Sequence, residues 1–338
     1  ALLEREINHN IQKRQKELEL TIALTNYCNF SCVYCYQNKN EKLMTTEVAN
    51  MIIEKIDRIL NDNIFEGINI HYFGGEPLLN IPVLIYLDEN IKKITDKIGI
   101  VYKAFLTTNG SMLSKELLQK VKFSSIQLTF DGLEKTHDRL RVSDHFHFKE
   151  EIELIENIMN FSQAKVLLRT NICKENKDEI IALHKYIFEK FGNERIEINP
   201  NRTIKYHQDD SFEMLSVQEY AEVAYQIKLL WSEQKGKFEL PVPRSTPCKF
   251  PYGNAYAISP EGYCTFCSGS MDQEKKYFFD VDIENKKMFS VRKECKKCNI
   301  LPLCLGGCII QYNLRAGACT YEKYELKNIL ISYIKHIS

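Results

Sequence analysis

The chain has 338 residues, 44% of them apolar, enough to bury the core of one large domain and a smaller one. Its 45 basic and 45 acidic residues cancel to a formal net charge of +0, which removes the electrostatic case for nucleic acid as a main partner. No apolar run is long enough to span a bilayer and no signal-peptide pattern opens the chain. The expected compartment is therefore the cytoplasm, where thiols stay reduced and clustered cysteines act as metal ligands or catalysts.

Residues 4–19 are strongly charged and read as a solvated helix, and 19–25 read as a strand running into a cysteine-rich loop. A helix follows over 46–60, with Val48, Ile52, Ile56 and Ile59 on one face. A second strand covers 67–73, a helix 81–97 and a third strand 101–107. Ser114 caps a short helix reaching Lys120. Then come a strand over 125–130, a helix over 148–161, a strand over 165–171, a helix over 177–191 and a strand over 195–199. After a polar connector, a helix over 216–231 opens with the capping box Ser216-x-x-Glu219.

Strands alternating with helices predict parallel βα units in an α/β fold. Six units are too few to close an eight-stranded barrel and suit an open partial one, whose site lies on the loops at the C-terminal strand ends. Past Lys235 the texture changes: Pro241, Pro243, Pro247 and Pro251 cluster, cysteine density rises, and helical periodicity returns only at 321–337. The expected organisation is a lead segment over 1–19, a partial barrel over 20–234 and a cysteine-rich domain with a closing helix over 235–338.

The loop after the first strand reads Cys28-Asn29-Phe30-Ser31-Cys32-Val33-Tyr34-Cys35. Three thiolates on one short loop can hold three irons of a cubane cluster and leave the fourth iron open, where four cysteines are the rule. The competing reading is zinc, but a triad with no nearby fourth Cys or His closes a tetrahedral site poorly. With an aromatic residue just before its last cysteine, the triad resembles the signature of radical S-adenosylmethionine (radical SAM) enzymes. The resemblance implies a partial (β/α)6 radical SAM barrel and a catalytic 4Fe-4S cluster on Cys28, Cys32 and Cys35. Its open iron would bind S-adenosylmethionine (SAM), which an electron cleaves to a 5′-deoxyadenosyl radical.

Gly74-Gly75-Glu76-Pro77 follows the second strand directly. Alone it is an ordinary turn, although glycines allow close backbone approach and a glutamate can accept from an ammonium. One βα unit after the cysteine loop, it is similar to the family motif that holds the SAM amino group. The resemblance further implies SAM contacts at Asn109, at Thr129 and Asp131 where the fourth strand ends, and at Arg169 (carboxylate) and Asn171 (ribose) where the fifth ends. Tyr34 would pack beside the adenine. The plain alternatives are an ion-pairing role for Arg169 and core packing for Tyr34.

Eight cysteines crowd the C-terminal third: Cys248, Cys264, Cys267, Cys295, Cys298, Cys304, Cys308 and Cys319. Without Cys264 they read Cys-x13-Gly-x4-Cys, Cys-x2-Cys-x5-Cys-x3-Cys and a last Cys, the glycine being Gly262. This pattern resembles the SPASM domain, which carries two auxiliary 4Fe-4S clusters, making three in all. The resemblance assigns Cys248, Cys267 and Cys308 to the first auxiliary cluster, and Cys295, Cys298, Cys304 and Cys319 to the second. Cys264 either completes the first cluster or leaves it an open iron. A pair of zinc ribbons is the alternative. Cys173, past the fifth strand, reads as a buried apolar filler.

An auxiliary cluster can take the electron that must leave when a substrate radical forms a new bond, so the expected reaction is oxidative. Families of this architecture mostly modify peptides, crosslinking ribosomally made precursors through thioether or carbon–carbon bonds, or oxidising a sulfatase Cys or Ser to formylglycine. Anaerobic sulfatase maturases place Gln before Gly-Gly-Glu-Pro, where this chain has Phe73, and a catalytic Asp where it has Ser268. These departures favour a peptide-crosslinking oxidoreductase over formylglycine formation or peptide epimerisation, in which Cys173 would donate a hydrogen atom. A non-enzymatic iron–sulfur electron-transfer protein would leave residues 74–77, Asn109 and Arg169 without a purpose, and a zinc-stabilised interaction module is a third class. The implied partners are a precursor peptide and an electron donor such as flavodoxin or ferredoxin, with no nucleic acid and no membrane. About twenty residues precede the first strand, too few for a winged-helix leader-recognition domain. That role is expected of a separate recognition protein, of residues upstream of Ala1, or of another surface.

Overall fold

Alternation within each strand decides which face of the sheet meets the helices. Leu18, Leu20 and Ile22, then Ile68, Ile70 and Tyr72, then Ile126 and Leu128, then Val166 and Leu168 are all buried in one core. The residues between them (Glu19, Thr21, Asn69, His71, Ser125, Gln127) point to the opposite side, as the pleat requires. That side lines a cavity of about 190 Å³.

The computed structural model describes residues 2–14, 16–63, 65–192, 195–205, 211–236, 238, 240–244, 248, 250, 254–265, 267, 276–281, 290–308 and 319–337. The first half runs α1 (Leu2–Arg14), β1 (Glu17–Ala23), α2 (Thr46–Asp62), β2 (Gly67–Phe73), α3 (Ile81–Ile98), β3 (Val101–Thr107), α4 (Lys115–Lys120) and β4 (Phe123–Thr129). It continues with α5 (Glu134–Leu140), α6 (Phe148–Phe161), β5 (Lys165–Ile172), α7 (Ile180–Phe191), β6 (Ile196–Arg202) and α8 (Val217–Lys235). Then come β7 (Ala255–Ile258), β8 (Tyr263–Thr265), β9 (Lys276–Tyr277), α9 (Leu301–Cys304) and α10 (Glu322–Ile337).

The sheet has the order β6-β5-β4-β3-β2-β1-β7-β8-β9. Pairing is parallel from β6 through β1 to β7 and antiparallel at β7–β8 and β8–β9. The six expected parallel strands are present, on a mixed α/β architecture. Helices α2, α3, α6 and α7 cover the outer face with Ile56, Leu87, Ile155 and Leu183. Thr45 and Ser114 cap α2 and α4, and both halves of the Ser216 capping box form at α8; each such cap is worth about 1 kcal/mol. Pro200 lies in β6, which ends the sheet and so tolerates its missing donor.

Several features depart from the sequence expectation, beginning with α1, which ends at Arg14 rather than 19, and β1, which spans Glu17–Ala23 rather than 19–25. Helix α7 begins at Ile180 rather than 177. Helix α5 is a seven-residue element too short to show a period. Strands β7–β9 are also new: all four residues of β7, Ala-Tyr-Ala-Ile, are buried, so no alternation marks it. β7 pairs with β1, so the barrel sheet runs on past residue 235. Helix α10 packs on α8 through the Lys228–Glu325 ion pair (2.7 Å) and a hydrogen bond between Tyr225 and Ser332. Among the described residues, no helix is long and apolar enough to cross a membrane.

Candidate active site

The cysteine loop between β1 and α2 is held from two sides by main-chain hydrogen bonds. On one side, Gly75 N donates to Thr25 O (2.8 Å) and Glu76 N to Tyr27 O (2.9 Å). A Cβ on Gly75 would lie 2.2 Å from Tyr27 O, and one on Gly74 (φ +138) 2.3 Å from Thr25 O. The two glycines are therefore needed for backbone-on-backbone packing against the cysteine loop. On the other side, Ser31 N donates to Val142 O (2.8 Å) and Val33 N to Leu140 O (3.0 Å). The residues after α5 thus run beside Cys32 like a short partner strand.

Two buried carboxylates brace this frame. Glu76 accepts from Leu78 N (3.0 Å) and Thr108 Oγ1 (2.6 Å) on one oxygen and from Asn109 N (2.6 Å) on the other. Asp131 accepts from Asn171 N (2.7 Å) on Oδ1 and from the Tyr34 hydroxyl on Oδ2. Both are 0% exposed. Burial raises the Glu76 carboxyl while its three donors oppose it; burial likewise raises Asp131, opposed first by the Arg141 charge. Asn109 also reaches the first cysteine, with Nδ2 3.9 Å from Cys28 Sγ.

At the C-terminal ends of the strands lies a cavity of about 390 Å³. Cys28, Cys32, Cys35, Tyr34, Gly74, Gly75, Asn109, Thr129, Arg169 and Asn171 all line it. Glu76, Pro77 and Asp131 are not among its lining residues. Glu76 and Asp131 are consumed by protein donors, and Pro77 is buried at the start of a short 3₁₀ turn. Arg169 donates from Nε to Asn171 Oδ1 (2.8 Å) and has no carboxylate ion pair among the described residues. Burial lowers its pKa. Burial pushes the Cys32 thiol up to about 11, with Arg141 acting against it, and also raises Cys28.

Further residues on this wall were not anticipated, among them His71, Arg141, Arg202 and Thr203. His71 was legible, since alternation in Gly-Ile-Asn-Ile-His-Tyr-Phe sets it inward. Arg141 was not, because it follows the short α5. Among the described lining residues there is no Asp or Glu. Three thiols, three guanidiniums and the Asn109 amide around one cavity fit an anionic group with room for a zwitterion beside it. Among the described residues no three His, Cys, Asp or Glu side chains converge closely enough to hold a single metal ion.

Residues 22–187 match the model of the Radical SAM superfamily. The barrel of this chain is a radical SAM domain. The radical SAM cyclopropyl synthase TigE of Paramaledivibacter caminithermalis is 24% identical over 96% of this chain and 76% of its own length. Other curated relatives are matched over less: the chain spans 39% of an uncharacterized protein of Methanocaldococcus jannaschii and 53% of a GTP 3′,8-cyclase of Helicobacter pylori. Among solved structures, anSMEcpe with bound AdoMet superimposes with a TM-score of 0.74 at 18% identity, covering 95% of this chain and 98% of that one. Streptococcus suis SuiB bound to precursor peptide SuiA gives 0.63 at 17% identity, covering 91% and 76%. At such identity the likeness is one of fold.

Beyond the radical SAM domain, the second cysteine set sits on short turns. Cys298 N donates to Cys295 O (3.0 Å), and Gly306 N points at Cys304 Sγ (3.4 Å). Leu305, Gly306 and Gly307 all have positive φ (46, 87 and 71). Leu305 is thus held in a left-handed conformation that costs a non-glycine residue roughly 1–2 kcal/mol. Cys248, Cys308 and Cys319 are exposed, and Cys267 is half-buried. Cys264 differs: it is 4% exposed in β8 and packs in the main apolar core. Cys173 is buried with Leu140 and Phe212 behind the cysteine loop, against Val33 and Tyr34. Burial pushes its thiol up to about 12. Ser268 lies outside the described residues.

Proposed function

We propose that this chain is a radical SAM maturase that oxidatively crosslinks a precursor peptide through a thioether or carbon–carbon bond. The carrying observation is the cavity itself, where the three cysteines meet Gly74, Gly75, Asn109 and Arg169. In this reading Cys28, Cys32 and Cys35 hold a 4Fe-4S cluster, and Cys248, Cys267, Cys308, Cys295, Cys298, Cys304 and Cys319 hold two auxiliary clusters, with Cys264 in a packing role. When bound, the clusters and SAM supply a 5′-deoxyadenosyl radical and a sink for the substrate's second electron. The protein's part is to position and exclude. The Arg169 guanidinium receives the SAM carboxylate, Asn171 the ribose, and Tyr34 the flat face of the adenine. Glu76 and Asp131 hold the cysteine loop against the strand ends so that these groups do not drift.

A peptide substrate is supported by the fold shared with SuiB bound to precursor peptide SuiA and by the length of the match to TigE. The higher TM-score to anSMEcpe favours formylglycine formation as a second reading. Against it, Phe73 lines the cavity where a sulfatase maturase would place Gln. The test is anaerobic reconstitution followed by iron analysis and reaction with SAM and dithionite. About twelve irons per chain and 5′-deoxyadenosine are expected, and a precursor peptide encoded nearby should lose two hydrogens. A chain that takes up iron but does not cleave SAM would sink the proposal. Formylglycine in a sulfatase peptide, with no crosslink in any precursor, would select the second reading.

A further inference from the structure

We propose that Arg141 is a positioning residue for the cysteine-triad cluster, setting its reduction potential through a fixed buried charge. The inference rests on the reading above that Cys28, Cys32 and Cys35 hold a cluster.

Arg141 is brought to Cys32 by main chain. The hydrogen bonds from Ser31 N to Val142 O and from Val33 N to Leu140 O bracket the pair, so Arg141 and Cys32 sit opposite one another. Register set by two main-chain bonds leaves the side chain little freedom to swing away. The guanidinium is then held from behind. Glu151, on α6 and 0% exposed, lies with Oε2 4.0 Å from Arg141 Nε and 3.1 Å from His137 Nε2. Its other oxygen accepts from Thr129 N (3.3 Å). Asp131 N donates to His137 Nδ1 (3.4 Å), which leaves Nε2 as the ring nitrogen that carries the proton; Glu151 Oε2, though 3.1 Å away, accepts no hydrogen bond. The Phe30 ring lies 5.3 Å from the guanidinium carbon.

This support fixes the arginine without using up its reach. Arg141 is only 6% exposed, its Nε makes no hydrogen bond, and the side chain lines the cavity that Cys32 lines. Desolvating an arginine this far is costly unless something anionic meets it. Glu151 stands at 4.0 Å, at the limit of an ion pair, so the remaining face has an electrostatic demand that a thiolate-ligated cluster satisfies. A cation at fixed range in low dielectric stabilises the more negative, reduced cluster and raises its potential. It also orients the ligand loop from outside the ligand set.

The test is an EPR-monitored redox titration of reconstituted holoprotein for wild type, Arg141→Lys, Arg141→Gln and the Arg141→Gln/Glu151→Gln double variant. The double variant removes both charges of that pair, while Asp131, whose carboxyl also feels the Arg141 charge, is left the same in both Gln variants. Both Gln variants should shift the midpoint to more negative values, with Arg141→Lys recovering most of the shift. Cluster loss in both Gln variants with retention in Arg141→Lys also supports the role, because charge is then what holds the cluster. An unmoved midpoint, or cluster loss in all three variants alike, overturns it. A wild-type chain that never takes up iron would instead defeat the underlying functional reading.

Discussion

The barrel rim and the C-terminal cysteine turns both gather thiols, but they reach order by different means. At the rim, the cysteine loop is tied to β2 on one side and to residues 140–142 on the other, and two fully buried carboxylates lock it. The triad is half-buried before any cofactor is considered. In the C-terminal region the described elements are strands of two to four residues, single turns and one closing helix. Three of its cysteines are exposed, and Leu305 stays in a strained conformation. A frame that satisfies its own hydrogen bonds can wait for its cofactor, whereas turns carrying exposed thiols gain their folding free energy from the metal.

That contrast can be broken most sharply with cysteines. Replacing Cys28, Cys32 and Cys35 together by Ala should abolish 5′-deoxyadenosine formation and leave the barrel's thermal transition in place, as followed by calorimetry. Replacing Cys319 should do the opposite, sparing SAM cleavage but blocking peptide product and loosening the C-terminal region toward protease. A Cys319→Ala protein that still crosslinks its peptide would show the second auxiliary cluster to be dispensable.

Glu76→Ala comes next. It strands Thr108 Oγ1, Asn109 N and Leu78 N in a dry site, with a cost of about 3 kcal/mol in urea unfolding. Cys28 replacement should leave that stability near wild type, because the frame is independent of its thiols. A Glu76→Ala chain as stable as wild type would show the rim to be less self-supporting than its bonds indicate.

The effect that is smallest near neutral pH is acid lability of the barrel. His184 accepts at Nδ1 from Trp231 Nε1 (3.1 Å) and lies 3.1 Å from Thr170 Oγ1, joining β5, α7 and α8. Burial lowers it from its ordinary 6.5 to about 3. Above 6.5 the ring is neutral folded or unfolded and contributes no pH dependence. Between 6.5 and 3 only the unfolded chain takes the proton, so stability should fall by about 1.4 kcal/mol per pH unit. His184→Gln should flatten that slope, and an unchanged slope would assign the acid sensitivity elsewhere.

Strand positions were legible wherever one residue in two is apolar, as in Gly67–Phe73 and Val101–Thr107, because a sheet buried on one face writes itself with period two. β7 was not, since a strand buried throughout carries no period, and neither was α5, with fewer than two full turns. Within the site, Cys28, Asn109 and Arg169 were found by type and place. Glu76 and Asp131 were named too, but which amides and hydroxyls their carboxylates accept from depends on what packs behind them.

By itself the sequence determined that a cysteine triad follows the first strand and that Gly74 and Gly75 follow the second. Both are local facts of spacing and alternation. Tertiary structure decided which of these groups face the cavity, and that Arg141 lies beside Cys32. The pairing of Ser31 with Val142 and of Val33 with Leu140 joins segments far apart in the chain. Backbone amides there must find partners when buried, and which partners they find depends on the whole sheet being in place.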